Sequence, residues 1–200
     1  RVGFSVAAVS SNTVVLVGGA SYLDTKPSGR PDLDMVSEVP LSQLLKLTLG
    51  PPPNNRSDDK STAAHGPSEL FSSDLLSIDE GSQGGYPPTR SFHTCEVLTP
   101  AGDPVIVIFG GQFFERGTKF QRMSSLWCCE MKNGIRWFEP RLVSSERTAC
   151  AGGLHASAKL SSHNLLIHGG QGYGAVNGPL LDDLWLMYLG TAESVMWTKV

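Results

Sequence analysis

A hydrophobic run closed by two glycines occurs three times in this 200-residue chain. It reads Val14-Val15-Leu16-Val17-Gly18-Gly19, then Val105-Ile106-Val107-Ile108-Phe109-Gly110-Gly111, then Leu165-Leu166-Ile167-His168-Gly169-Gly170. A recurring unit constrains a fold more than any single side chain, because each copy must bury its apolar face against its neighbour. The runs are short, rich in Val, Ile, Leu and aromatics, and bounded by Gly, Pro, Asn or Ser, which is how strands read. No long amphipathic helix accompanies them.

The second and third copies align along their whole length. In the second, Arg90 to Leu98, Val105 to Phe109, Leu126 to Met131 and Ile135 to Phe138 form four successive strands. In the third, the same order is Leu154 to Leu160, Leu165 to His168, Leu184 to Leu189 and Val195 to Val200. Gly111 to Trp127 spans 16 residues and Gly170 to Trp185 spans 15; Gly111 to Trp137 spans 26 and Gly170 to Trp197 spans 27. Four short strands in a unit of ~50 residues are the pattern of a propeller blade. A glycine pair leaves room for a ring against the backbone and permits positive φ. The fourth-strand Trp137 and Trp197 are the expected occupants, while Trp127 and Trp185 on the third strands complete the core.

The first copy is longer. Gly19 and Gly111 are 92 residues apart, against 59 for Gly111 and Gly170. Its third strand is read at Leu44 to Leu49 and its fourth at Leu75 to Ile78. Residues 20–41 and 50–68 are insertions; the second contains no large apolar side chain and reads as a flexible loop.

The doublets Gly18-Gly19, Gly110-Gly111 and Gly169-Gly170, the third- and fourth-strand aromatics, and Pro87-Pro88-Thr89-Arg90-Ser91-Phe92-His93-Thr94 together resemble the kelch-repeat family. The resemblance is loose over residues 2–49 and good over 86–200. It implies an all-β chain: a kelch-type β-propeller with about three four-stranded antiparallel blades, part of a larger propeller. Blade one takes residues 2–85, blade two 86–140 and blade three 147–200. Ser5 stands where the first copy would carry its His. Arg147 lies eight residues before His155, where Arg90 lies three before His93; Arg147 is either part of an extended lead-in or unrelated to it.

Three blades leave two open sheet edges, and propellers close with four to eight. The expectation is a fragment, or an arc completed by the rest of the propeller or another chain. A net charge of -3 argues against bulk electrostatic binding of nucleic acid. No apolar run is long enough to span a membrane. Cys128 and Cys129 share a strand and point to opposite faces, so they are poor joint metal ligands. With Cys95 and Cys150 they read as reduced core residues, implying cytoplasm or nucleus.

The segment from Gln112 to Met123 is the most suggestive for function. It holds Phe113, Phe114, Arg116, Lys119, Phe120 and Arg122, residue types that dominate protein interfaces. Its aromatics either meet a partner or fold back onto their own blade. His93 and His155 recur at blade starts, with Arg90 before the first of them, and are expected to hydrogen-bond neighbouring blades rather than to catalyse. Asp182-Asp183 reads as a turn cap. The stretch from Gly169 to Gly174 lacks the Lys-Ser or Lys-Thr of a phosphate loop. No cofactor, metal site or catalytic set is read.

The leading expectation is a non-catalytic scaffold or subunit that docks a partner protein through rim loops. The alternative is a kelch accessory subunit of a DNA recombinase or transposase complex. Less favoured is a copper-oxidase-like enzyme, for which no recognisable ligand spacing exists.

Overall fold

The structure, a computed structural model, describes residues 3–22, 35–36, 43–49, 71–77, 85–113, 121–132, 134–143, 152–172, 178–191 and 193–200. These contain no helix; the chain is all-β, in several sheets of which none closes on itself. The first sheet holds β1 (Ser5–Ser10), β2 (Thr13–Val17), β5 (Gln43–Leu49) and β6 (Phe71–Ser77) in that order. A small hairpin, β3 (Ser21–Tyr22) with β4 (Met35–Val36), follows its glycine doublet. The fourth strand therefore lies earlier than the sequence suggests. Leu75 to Ser77 belong to it, and Ile78 lies outside the described residues.

The second sheet runs β7 (Thr94–Leu98), β8 (Val105–Phe109), β11 (Leu126–Glu130), β12 (Arg136–Phe138), with the hairpin β9 (Gln112–Phe113) and β10 (Gln121–Arg122) after its doublet. The third runs β14 (Ala156–Lys159), β15 (Asn164–His168), β16 (Leu184–Leu189), β17 (Ser194–Lys199). A fifth strand, β13 (Arg141–Leu142), leaves the second sheet and pairs in parallel with β17. It covers the outer edge of the third sheet, where unpaired N–H and C=O groups would otherwise stand open.

Every residue of β8 is buried. Alternation along the strand divides them between two cores. Val105, Val107 and Phe109 pack with Leu165, Ile167, Met187 and Trp197 of the third sheet. Ile106 and Ile108 pack with Ala7, Val15, Val17 and Leu44 of the first. The middle sheet is thus apolar on both faces, which is why β8 reads as an unbroken hydrophobic run. Each such side chain contributes about 1.5–3 kcal/mol on burial. Cys128 faces the third sheet and Cys129 the first, on opposite faces as the sequence requires. The inner strands β1, β7 and β14 lie side by side.

Trp137 and Trp197 are buried between the sheets. Trp137 joins the core between the first and second sheets. Trp197 lies 5.0 Å from the Phe109 ring of the preceding sheet. Trp127 and Trp185 are half-buried and pack at the edges of the same cores. The indoles wedge sheet against sheet; what stands nearest Gly111 and Gly170 is something else.

Candidate functional site

Strand register fixes what that is. Ser5, Thr94 and Ala156 pair with Val17, Phe109 and His168, the residues just before the three doublets. The positions before them are therefore Phe4, His93 and His155. The first copy carries Phe4, and not Ser5, at the histidine site. At Gly111, a Cβ would meet the Cβ of His93 at 2.8 Å and the Ser91 carbonyl at 2.9 Å. At Gly170 it would meet the Gly153 carbonyl and the Cβ of His155, both at 3.0 Å. The second glycine of each of these doublets is small because the lead-in to its own sheet's inner strand lies against it.

The lead-ins also tie the sheets together. Gly3, Phe92 and Leu154 share a left-handed backbone, with φ of 63°, 54° and 62°. Phe92 and Leu154 hold it without being glycine, a strained conformation that the surrounding structure must impose. Phe92 N–H donates to the Gly3 carbonyl at 2.7 Å, and Leu154 N–H to the Phe92 carbonyl at 3.3 Å. Outside this ladder, Gly19 N–H donates to the Arg90 carbonyl and Gly111 N–H to the Gly152 carbonyl. The same atoms join sheet one to two and sheet two to three.

These bonds are backbone bonds, which corrects the expected role of the histidines. Among the described residues, neither ring nitrogen of His93 or of His155 has a hydrogen-bond partner. His93 is buried and held down to about 3, from 6.5, first by burial and then by the charge of Arg90 and by His155. His155 is held down to about 4 by burial. Both are neutral at physiological pH, and His155 rests 5.4 Å from the Phe109 ring.

Arg90 is fully buried yet satisfied by neutral oxygens. Its Nη1 donates to the carbonyls of Gly110 at 2.9 Å and Ser125 at 3.3 Å. Nη2 donates to Ser125 Oγ at 3.0 Å, and Nε to the Pro88 carbonyl at 3.2 Å. Burial lowers its pKa to about 10, against a raising contribution from Glu139, so the charge persists at neutral pH. A planar fork of donors suits this cluster, and a lysine would not.

Register places Gly152 at the third sheet's equivalent of Arg90; Arg147 lies outside the described residues. The space over Gly152 belongs to Arg122, whose Cδ would stand 2.7 Å from a Cβ there. Arg122, read from sequence as displayed for a partner, is only 7% exposed. It leaves β10 of the second sheet's loop and donates to the Gly172 carbonyl at 2.9 Å and Gln171 Oε1 at 2.6 Å. Gln171 Nε2 in turn donates to the Gly178 carbonyl at 2.9 Å. One guanidinium thus locks together the bases of two neighbouring loops.

All three post-doublet segments are pinned at their bases. Ser21 pairs with Val36, Gln112 with Arg122, and Gln171 with Leu180. Because backbone bonds join adjacent doublets, these bases lie at one end of the stacked sheets. Phe113 is half-buried on β9, while Phe114, Arg116, Lys119 and Phe120 lie outside the described residues. Sequence reasoning missed Ser125 and Gln171 altogether. The available signal was Gly152-Gly153, two small residues where the second copy has Arg90-Ser91.

At the opposite end, the strand turns of the second and third sheets enclose a cleft of about 290 Å³. Val105, Phe138 and Leu189 line it, together with a charged rim. Arg136 bridges Glu130 at 2.7 Å and Glu193 at 2.6 Å, and Lys132 pairs with Asp103 at 2.7 Å. The rim charges are consumed by one another. Among the described residues no group of three or more His, Cys, Asp or Glu could hold a metal, and no helix is long and apolar enough to cross a membrane.

No family model and no curated protein matches the chain. Solved structures do resemble it. A chain of a cryo-EM structure of RAG in complex with one melted RSS and one unmelted RSS is similar at a TM-score of 0.60 and 13% identity, over 98% of this chain and 50% of that one. The structure of YjhT is similar at 0.54 and 13% identity, over 98% of this chain and 45% of that one. At such identity the likeness concerns fold alone. The chain spans about half the length of both.

Proposed function

We propose that the chain forms three blades of a kelch-type β-propeller and acts as a non-catalytic scaffold or complex subunit. It docks a partner protein through the loops that follow the glycine doublets. The observation that carries this reading is that the bases of those loops are paired at one end of the sheets, with Arg122 joining two of them. A rigid frame that presents loops is the usual setting for recognition. Phe113, Phe114, Arg116, Lys119 and Phe120 supply aromatic and cationic contacts; Arg122 ties the base of the segment to Gly172 and Gln171. Reduced cysteines fit a cytoplasmic or nuclear protein.

Affinity capture with the wild type and a Phe113→Ala/Phe114→Ala variant tests it. The expected result is loss of a specific partner with unchanged circular dichroism. Retention of every partner by the folded variant removes this loop as the contact.

The likeness to a chain of the RAG–RSS complex favours a second reading, an accessory subunit of a DNA-recombining assembly. There the protein partner is the catalytic subunit, and Arg116 and Lys119 add phosphate contacts. Salt-dependent binding of DNA by the assembled complex, weakened in Arg116→Ala/Lys119→Ala, distinguishes it. Arg122 is left unchanged because it carries structure.

A further inference from the structure

We propose that Arg136 and Glu193 form a salt-sensitive latch, which holds the outer corner of the second and third sheets shut over the cleft between them. The proposal concerns the end opposite the loops and stands apart from any partner they bind.

The two sheets are joined differently at different corners. At the doublet end the joints are backbone bonds, backed by the buried Arg122. On the inner side of the opposite end, Thr99 N–H donates to the Ser162 carbonyl at 2.9 Å, again backbone to backbone. At the outer corner the second sheet reaches the third through a side chain and a short strap. Arg136 Nη2, on β12, donates to Glu193 Oε1 at 2.6 Å, and both residues line the cleft. Their side chains are 44% and 49% exposed. The strap is β13, two exposed residues. Arg141 N–H donates to the Glu193 carbonyl at 2.8 Å, and Val143 N–H to the Val195 carbonyl at 2.9 Å.

Glu193 therefore serves both attachments, with its carboxylate on Arg136 and its carbonyl on the strap. It does so at a φ of 52°, in the left-handed region. The corresponding turn of the second sheet reaches positive φ at Gly134, where no side chain opposes it. A non-glycine residue keeps such a backbone where its neighbours impose it, and here the neighbours are Arg136 and Arg141. Released from Arg136, the turn relaxes and withdraws the acceptor from the strap. The corner thus has two arrangements, and the ion pair selects the closed one. Salt screens an exposed pair and leaves backbone bonds intact. Ionic strength accordingly biases this corner and not the others. What the latch guards is the apolar floor of the cleft at Val105, Phe138 and Leu189.

Site-resolved amide exchange of this chain, in dilute buffer and in high salt, tests the proposal. The amides of Arg141 and Val143 are expected to exchange roughly threefold faster in high salt, the worth of one exposed pair. Those of Thr99 and Gly111 should keep their rates. Arg136→Gln should show the faster exchange already in dilute buffer and lose the salt response. Adding Glu193→Gly to Arg136→Gln removes the strain without restoring a pair, and should return most of the protection. Salt-independent exchange at Arg141 and Val143, a salt response that survives Arg136→Gln, or a double variant no slower than the single one overturns the proposal. Circular dichroism verifies folding of the variants. The salt series on the wild type needs no substitution, so it decides the matter for any variant that unfolds.

Discussion

A side-chain carbon on Gly111 would stand 2.8 Å from the Cβ of His93, closer than real Cβ contacts come. Gly111 also has a φ of 97°, where other residues are strained. Gly111→Ala is therefore expected to cost about 3 kcal/mol, adding backbone strain to a collision with a fixed inner strand. Gly102 has a similar φ of 88° but nothing within 4 Å of a Cβ. Gly102→Ala should cost only about 1 kcal/mol, the conformational share. Urea midpoints of the two variants check the difference.

Arg90 and Ser125 give a second test. Truncating Arg90 to Ala takes the guanidinium donor from the buried Gly110 carbonyl and leaves the Ser125 carbonyl only the Gly110 N–H. The expected loss is about 3 kcal/mol. Arg90→Lys should recover less than half of it, since an ammonium cannot serve oxygens arranged around a fork. Ser125→Ala removes one bond and should cost about 1 kcal/mol. Equilibrium unfolding reads all three.

His93 makes stability depend on pH in a defined direction. Unfolded, it protonates near 6.5; folded, it stays neutral to about 3. The unfolded state binds more protons between these values, so stability is full above 6.5 and falls as pH drops. From pH 7 to 5 the expected loss is about 2 kcal/mol from this residue. His155, held at about 4, acts in the same sense. His93→Leu should flatten the profile on the acid side. An unchanged acid slope in that variant contradicts the assignment.

Much of this fold was legible in the chain because it rests on strand periodicity and repetition. The runs ending in Gly19, Gly111 and Gly170 marked the three second strands, and the spacings to Trp137 and Trp197 located the last strands of two sheets. What was not legible depends on contacts between units. The groups nearest Gly111 and Gly170 are the lead-ins at His93 and His155, which spacing alone does not reveal. The imidazoles were expected to hydrogen-bond, yet the sheets are joined through the backbone of their lead-ins. Arg122 looked like an interface residue by composition. Only the glycine opposite it, Gly152, reveals that its place is inward.

The link from Arg122 to Gln171 is expected to couple the two loops energetically. Arg122→Ala and Gln171→Ala should each destabilise, and the double variant should fall short of their sum by about 1 kcal/mol. Strict additivity in the double-mutant cycle contradicts a shared bond.

The central claim is that successive sheets are fastened by a repeated set of backbone bonds at one end. Site-resolved amide hydrogen exchange reads those bonds directly. The amides of Gly19, Phe92, Gly111 and Leu154 lie outside the named strands yet donate across sheets. They are expected to exchange as slowly as the amides of β8. Exchange of these four at the rate of exposed turn amides, such as Ala101, would contradict the account.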